Sequence, residues 1–230
     1  MPATALDDRR REVLRTLIQL HVDTGEPVGS ESLSRAFGRA LSPASLRSLM
    51  ADLEALGYLD HPHTSAGRVP TDEGYRVYVD SLMGLRELAP GEAQAIAELG
   101  QGEASAEQTL ERASQVLSRL SRNVGFVLAP DIARTSFRHV DLVPLGHPRV
   151  LVVMVSATGI VTHKVIEVEE RLEPAELQDL SLVATTCRIE GEPDFGVGVL
   201  GSTRMQYAHV VSLVDHVARA VADVLRVKGA

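Results

Sequence analysis

The stretch that constrains this chain most is Leu41 to Gly57, because both ends and the repeat of a helix can be read there directly. Ser42 suits an N-cap, since its hydroxyl can accept from the orphan amides of a first turn, and Pro43 fits the first helical position, where no amide is needed. Gly57 marks the stop. Leu46, Leu49, Met50, Leu53 and Leu56 recur at i, i+3, i+4, i+7 and i+10 and form one apolar stripe. Ala44, Ser45, Arg47, Ser48 and Ala51 fall toward the other side. That outer face is small and has one cation, whereas a helix made only for solubility would carry several Glu and Lys. Small hydroxyls and one Arg suit entry into a DNA groove.

The neighbours extend the pattern. Val13, Leu14, Leu17, Ile18, Leu20 and Val22 place a first helix between Leu6 and Thr24, behind the capping candidates Asp7 and Asp8. Ser30 is read as the cap of a brief helix, Glu31 to Phe37, with Leu33 and Phe37 inward, and Gly38 to Leu41 is a turn. Helix, short helix, turn and capped helix is the layout of a helix-turn-helix. After Gly57, Tyr58-Leu59 begins a strand, residues 61–70 form a loop rich in turn formers, and Thr71 caps a helix through Met83. A strand, a polar loop with an Arg and a returning helix is how a wing is built. On this reading Arg68 stands at the wing tip, where nothing apolar holds it inward. His61 and His63 read as solvated loop residues, because no further ligands lie near them to complete a metal site. The candidate DNA-binding residues are Ser30, Ser42, Ala44, Ser45, Arg47, Ser48, His63, Thr64, Ser65, Arg68 and Arg76, with Ser45, Arg47 and Ser48 facing the major groove. No metal, cofactor or catalytic residue is expected.

Charge limits how such a protein would bind. Residues 1–83 hold 9 Lys and Arg against 12 Asp and Glu, and the rest of the chain holds 14 against 19, so the net −8 is shared by both halves. DNA binding would then use a few placed cations, leaning on dimerisation and base contacts more than on counterion release. The chain is expected to be cytoplasmic: its start lacks an apolar segment behind a basic end, and the densest apolar run, Val150 to Val155, is too short to span a bilayer. The single cysteine, Cys187, has no internal disulfide partner and reads as buried filler.

From Val124 the period shifts from 3.6 toward 2. Gly125 to Ala129, Ser136 to Val143, Arg149 to Ser156 and Ile160 to Val168 read as strands, with Gly159 turning a hairpin. Pro174 to Arg188 starts helical, and Leu182 to Arg188 can turn back into a strand. Gly196-Val197-Gly198-Val199-Leu200-Gly201 has the spacing of a dinucleotide fingerprint. That reading is rejected, because Asp215 and Asp223 fall inside the helix that follows, Thr203 to Val227, and not after a second strand. The glycines are assigned to a strand ending in a tight turn. Glu103 to Asn123 is amphipathic and has two readings, a helix packed on its own domain or one at a dimer interface.

Several of these segments carry a resemblance. Thr24-Gly25-Glu26-Pro27-Val28-Gly29-Ser30, Leu41 to Arg47, Met50-Ala51-Asp52-Leu53-Glu54, Pro62 to Thr71, Gly74-Tyr75-Arg76 and Tyr78-Val79-Asp80 resemble the HrcA family of heat-inducible transcription repressors. Phe137 to Leu145, Arg149 to Val153 and Leu200 to Ala208 resemble that family's GAF-like domain. The resemblance implies an α+β chain: a winged helix-turn-helix domain at 1–83, a linker and helix at 84–123, and a GAF-like α/β domain with an antiparallel sheet at 124–230. It also implies a dimer that represses chaperone operons at the inverted repeat called CIRCE, with the GroEL chaperonin as co-effector. Two departures stand out. Ser48 and Leu49 occupy positions where the family usually has Asn and an acidic residue. Only Glu169 to Leu180 stands where the family carries its inserted dimerisation domain. Two other function classes are weighed: a regulator whose GAF-like half senses a small molecule, and an enzyme. The enzyme finds no nucleophile beside a base, and that half is poor in the paired polar and aromatic residues that orient a ligand.

Overall fold

The structure is a computed structural model, and it describes residues 6–62, 67–102, 104–128, 137–145, 149–156, 161–167, 180–187 and 195–228. The chain divides into two compact units, one of residues 1–84 with 206–208 and the other of 85–205 with 209–230. It mixes helices with strands, and every strand pairing among the described residues is antiparallel.

In the first unit, α1 runs Asp8–Thr24 and α2 runs Ser30–Ala36, while α3 spans Pro43–Ala55. The Asp7 carboxylate caps α1 by accepting from the Arg10 amide at 2.7 Å. Helix α3 is capped as its sequence dictates: the Ser42 hydroxyl accepts from the Ser45 amide at 3.1 Å, Pro43 opens the first turn, and Gly57 follows the helix at φ +83°. Leu46, Met50 and Leu53 are buried with Val13, Leu14, Leu17 and Ile18 of α1 and Leu33 of α2, forming the core of the unit.

Two local expectations are corrected. Leu56, assigned to the stripe, is exposed: it is the C-cap of α3, at the very end of the helix and past Leu53, the last buried residue of the stripe. Ser30 does not cap α2: Gly29 occupies the N-cap and Ser30 is the first helical residue. The turn between α2 and α3 has Gly38 and Arg39 in consecutive left-handed conformations, φ +57° and +63°. It is pinned by the Ser34 hydroxyl, buried and donating to the Leu41 carbonyl at 2.7 Å.

Two short strands follow, β1 at Leu59–Asp60 and β2 at Val69–Pro70, paired Leu59 with Pro70 and Asp60 with Val69. Helix α4, Asp72–Val77, is capped by the Thr71 hydroxyl and widens into a π turn at Tyr78–Leu82. Gly74 lets α4 sit directly on β1: a Cβ there would lie 2.2 Å from the Tyr58 carbonyl oxygen.

The second unit begins with α5, Pro90–Ala97, and a 3-10 turn at Glu98–Gly100. Helix α6, Ala106–Ser121, starts with a reciprocal box in which the Ser105 hydroxyl accepts from the Gln108 amide and the Gln108 side chain accepts from the Ser105 amide. Strands β3 (Val124–Leu128), β8 (Phe195–Ser202) and β7 (Leu180–Cys187) form one sheet in that order; β4 (Phe137–Pro144), β5 (Arg149–Ser156) and β6 (Val161–Glu167) form a second. Helix α7, Tyr207–Lys228, closes the unit and starts four residues later than its sequence suggests.

The segment read as a linker is therefore partly built into this unit. The Arg86 carbonyl accepts from Ser212 of α7 at 2.7 Å, and Glu92 of α5 meets His209 of α7 at 2.8 Å. The glycines of β8 also have a different cause from the one expected. Gly198 lies mid-strand, where a Cβ would meet Phe126 Cζ at 2.5 Å, and one on Gly201 would meet Asn123 Oδ1 at 2.0 Å. Close packing across the central strand explains these two, and not the turn alone. Cys187 is buried, and burial pushes its thiol up to about 11. Gly159 and the start of the Pro174 segment lie outside the described residues.

Candidate nucleic-acid interface

The exposed side of α3 carries the residue types that the sequence placed there. With Leu46, Met50 and Leu53 turned into the core, Ala44, Ser45, Arg47, Ser48 and Ala51 are all exposed. The Ser42 and Ser45 hydroxyls lie 2.9 Å apart, so the cap and the first outward serine share one hydrogen bond. Arg47 makes no ion pair among the described residues, and its guanidinium is open to solvent.

The carboxylates of α3 are occupied by contrast. Asp52 accepts from Arg10 of α1 at 2.6 Å, and Arg10 also pairs with Asp7, whose carboxyl is held below the usual range chiefly by the Arg10 amide. Glu54 accepts from Arg68 Nε at 2.7 Å. These two pairs tie α3 to α1 on one side and to the entry of β2 on the other.

Arg68 thus differs from its expected place. Its amide donates to the Val28 carbonyl at 2.9 Å and its carbonyl accepts from the Val28 amide at 2.8 Å, an antiparallel bridge outside the named strands. Gly67 is pressed onto the same residue, since a Cβ would stand 2.3 Å from the Val28 carbonyl. The side chain is held by a carboxylate, a restraint that a search for apolar anchors does not find.

Of the other candidates, Ser30 is half-buried at the start of α2, and Arg76 is exposed on α4 with Glu73 at 3.6 Å. His63, Thr64 and Ser65 lie outside the described residues. Arg39 was not picked out from sequence. It is exposed, sits in the α2–α3 turn, and keeps a left-handed backbone that Gly or Asn adopts more readily. The available signal was a basic residue directly after a helix-ending glycine.

A family model described as the HrcA protein C-terminal domain matches residues 107–181 and 168–211. Three relatives carry the name heat-inducible transcription repressor HrcA. The one from Geobacter sulfurreducens is 42% identical over 182 residues, covering 77% of this chain and 52% of that protein. The one from Xanthomonas campestris pv. campestris is 47% identical over 174 residues, 75% and 49% of the two chains. The one from Anaeromyxobacter sp. (strain K) is 43% identical over 176 residues, 76% and 50%. The chain spans about half the length of the curated relatives it matches. A solved structure, described as a crystal structure of a hypothetical protein at 2.2 Å resolution, covers 96% of this chain and 99% of its own with a TM-score of 0.61 at 16% identity, a likeness of fold alone. Identity above 40% across three quarters of the chain, together with the match to the family's C-terminal domain, means that the chain belongs to the HrcA family.

Proposed function

We propose that this chain is a sequence-specific DNA-binding repressor of chaperone operons, acting as a dimer on an inverted repeat of the CIRCE type. Residues 1–83 serve as a winged helix-turn-helix in which α3 is the recognition helix and β1, β2 and the loop between them form the wing. The observation that carries the reading is the outward face of α3, made of Ala44, Ser45, Ser48 and Ala51 around the single open cation Arg47. A groove-entering helix needs that combination. Bulky or acidic side chains would clash with or repel the phosphates, and an Arg can donate two bonds to one guanine.

One such module reads only a few base pairs, and each good bidentate contact supplies about 1–3 kcal/mol of discrimination, so two copies on an inverted repeat are needed for useful specificity. The relatives' printed names support the repressor role, and GroEL enters as co-effector on the family resemblance.

Footprinting tests the proposal. The purified chain is expected to protect both arms of a CIRCE duplex and not a scrambled duplex of equal composition, with GroEL raising occupancy at a fixed repressor concentration. Equal protection of both duplexes would overturn the repressor reading. No change on adding GroEL would remove the chaperonin from it.

A further inference from the structure

Glu54 and Arg68 are read here as one device, an inference that rests on the DNA-binding proposal above. An Arg that reaches a phosphate must present its guanidinium to solvent, as Arg76 does with its side chain 74% exposed. Arg68 is 21% exposed, and its Nε is spent on Glu54 at 2.7 Å. Seen from DNA the pair is nearly neutral and releases little counterion.

The backbone around the pair explains what it does. The β1–β2 ladder has only two residue pairs, too few to hold an angle by itself. The far end of β2 is fixed to the end of α3, because the Thr71 hydroxyl donates to the Gly57 carbonyl at 2.7 Å and the Thr71 amide donates to the Tyr58 carbonyl at 3.1 Å. The near end, where the chain enters from residues 63–66, is tied to Val28 by its backbone and to α3 by one side chain, Arg68. The Val28 bridge and the packing of β2 on α1 hold the strand's backbone, and the Arg68 side chain adds the link that fixes its near end against α3. We infer that the Glu54–Arg68 pair sets the direction of the wing relative to the recognition helix, which makes both residues positioning residues and Arg68 not a DNA contact.

The opposite charges of the pair give a test by sign. Glu54→Ala removes a negative charge beside DNA, so electrostatics alone would tighten binding, whereas loss of positioning weakens it. Glu54→Ala, Glu54→Gln, Arg68→Ala and the double alanine variant of the full chain are titrated against a CIRCE duplex and a scrambled duplex over a salt series. Amide hydrogen exchange is followed over residues 67–71 in the absence of DNA.

Glu54→Ala and Arg68→Ala are each expected to lose about threefold or more in CIRCE affinity, with the double variant no weaker than the worse single one, as residues of one ion pair behave. The salt slope should stay unchanged, the amides of Gly67, Arg68 and Val69 should exchange faster, and the isosteric Glu54→Gln should fall between. An unchanged or tighter Glu54→Ala, with Arg68→Ala weaker and its slope shallower by about one charge per half-site, overturns the inference and makes Arg68 a phosphate contact. If the unsubstituted chain does not distinguish the two duplexes, the DNA-binding reading fails. The exchange measurement still decides the pair, because unaltered protection in Glu54→Ala would overturn it independently.

Discussion

Arg47 and Arg39 are both exposed cations of the first unit, yet their backbones differ and so do the effects expected of them. Arg47 sits in regular helix, on the face opposite Leu46 and Leu53. Its replacement by Ala is expected to leave the fold intact and to cost about 1–3 kcal/mol per half-site on the operator and much less on random DNA, measured by parallel binding isotherms. Equal loss on both would make it a phosphate contact. Arg39 holds φ +63°, a conformation that costs a side chain with a Cβ about 1–2 kcal/mol. Strain of that kind tends to persist where the side chain is needed. Arg39→Gly should raise the melting temperature of the first unit while weakening DNA binding, with a salt slope shallower by about one charge per subunit. A variant that is more stable and binds with an unaltered slope would mean that the strained turn serves only the geometry of α2 and α3.

At the scale of elements, glycine placement and one carboxylate give the predictions. Gly74→Ala puts a methyl 2.2 Å from the Tyr58 carbonyl oxygen, so α4 must retreat from β1. Overpacking of this order costs about 1–3 kcal/mol, read from denaturant unfolding. In the second unit, Glu92 joins the start of α5 to α7: it accepts from the Ala89 amide at 2.8 Å and meets His209 at 2.8 Å. Partial burial raises its pKa, but the Ala89 amide and His209 outweigh that, and the carboxyl lies below its usual range. A lowered folded value means stability that is present above the unfolded pKa and lost as pH falls through the folded one. Unfolding of the wild type, followed from about pH 6 to about pH 3, should therefore show an acid limb that Glu92→Gln flattens. Much of this level was legible in the sequence. The Ser42 cap, Pro43, the Leu46-Met50-Leu53 stripe and Gly57 report themselves through local chemistry. Leu56 misled because the apolar period runs on to the C-cap of α3, past the last turn that the core covers. Gly198 and Gly201 misled because their neighbours Phe126 and Asn123 belong to other strands and turns, and the hold on Arg68 was missed because Glu54 lies 14 residues away. Pairings across that distance leave no period.

At the scale of the whole molecule, the proposed binding to an inverted repeat requires a contact that pairs two chains. The match to the family model comes in two stretches that share residues 168–181, around Glu169 to Leu180, the segment that the resemblance sets in place of the family's insert. The two long helices of the second unit, α6 and α7, turn their apolar residues largely into the chain. Val210, Leu213, Val214, Val217 and Val221 of α7 are each 3% exposed or less, and Ala113 and Leu117 of α6 are fully buried. Contacts of α7 within the chain include Cys187 of β7, whose thiol reaches the Ala218 carbonyl, and Gly100, which lies against Val224. Among the described residues the large apolar side chains left exposed for a dimer are Leu56, Leu85, Val143, Leu145, Val161, Val165 and Leu182, whereas standard stable interfaces bury about 800 Å² per partner. We predict weak self-association in free solution that DNA reinforces, because two half-sites roughly one or more helical turns of 34 Å apart hold two chains at high local concentration. Light scattering across concentration should show a mass that falls toward the monomer on dilution and on warming, while the footprint covers both arms with a steep concentration dependence. A tight dimer at every concentration would mean that the chain keeps a substantial interface without the insert. A monomer that protects each arm independently, with no steepness, would mean that the two copies do not touch and that the inverted repeat alone sets their spacing.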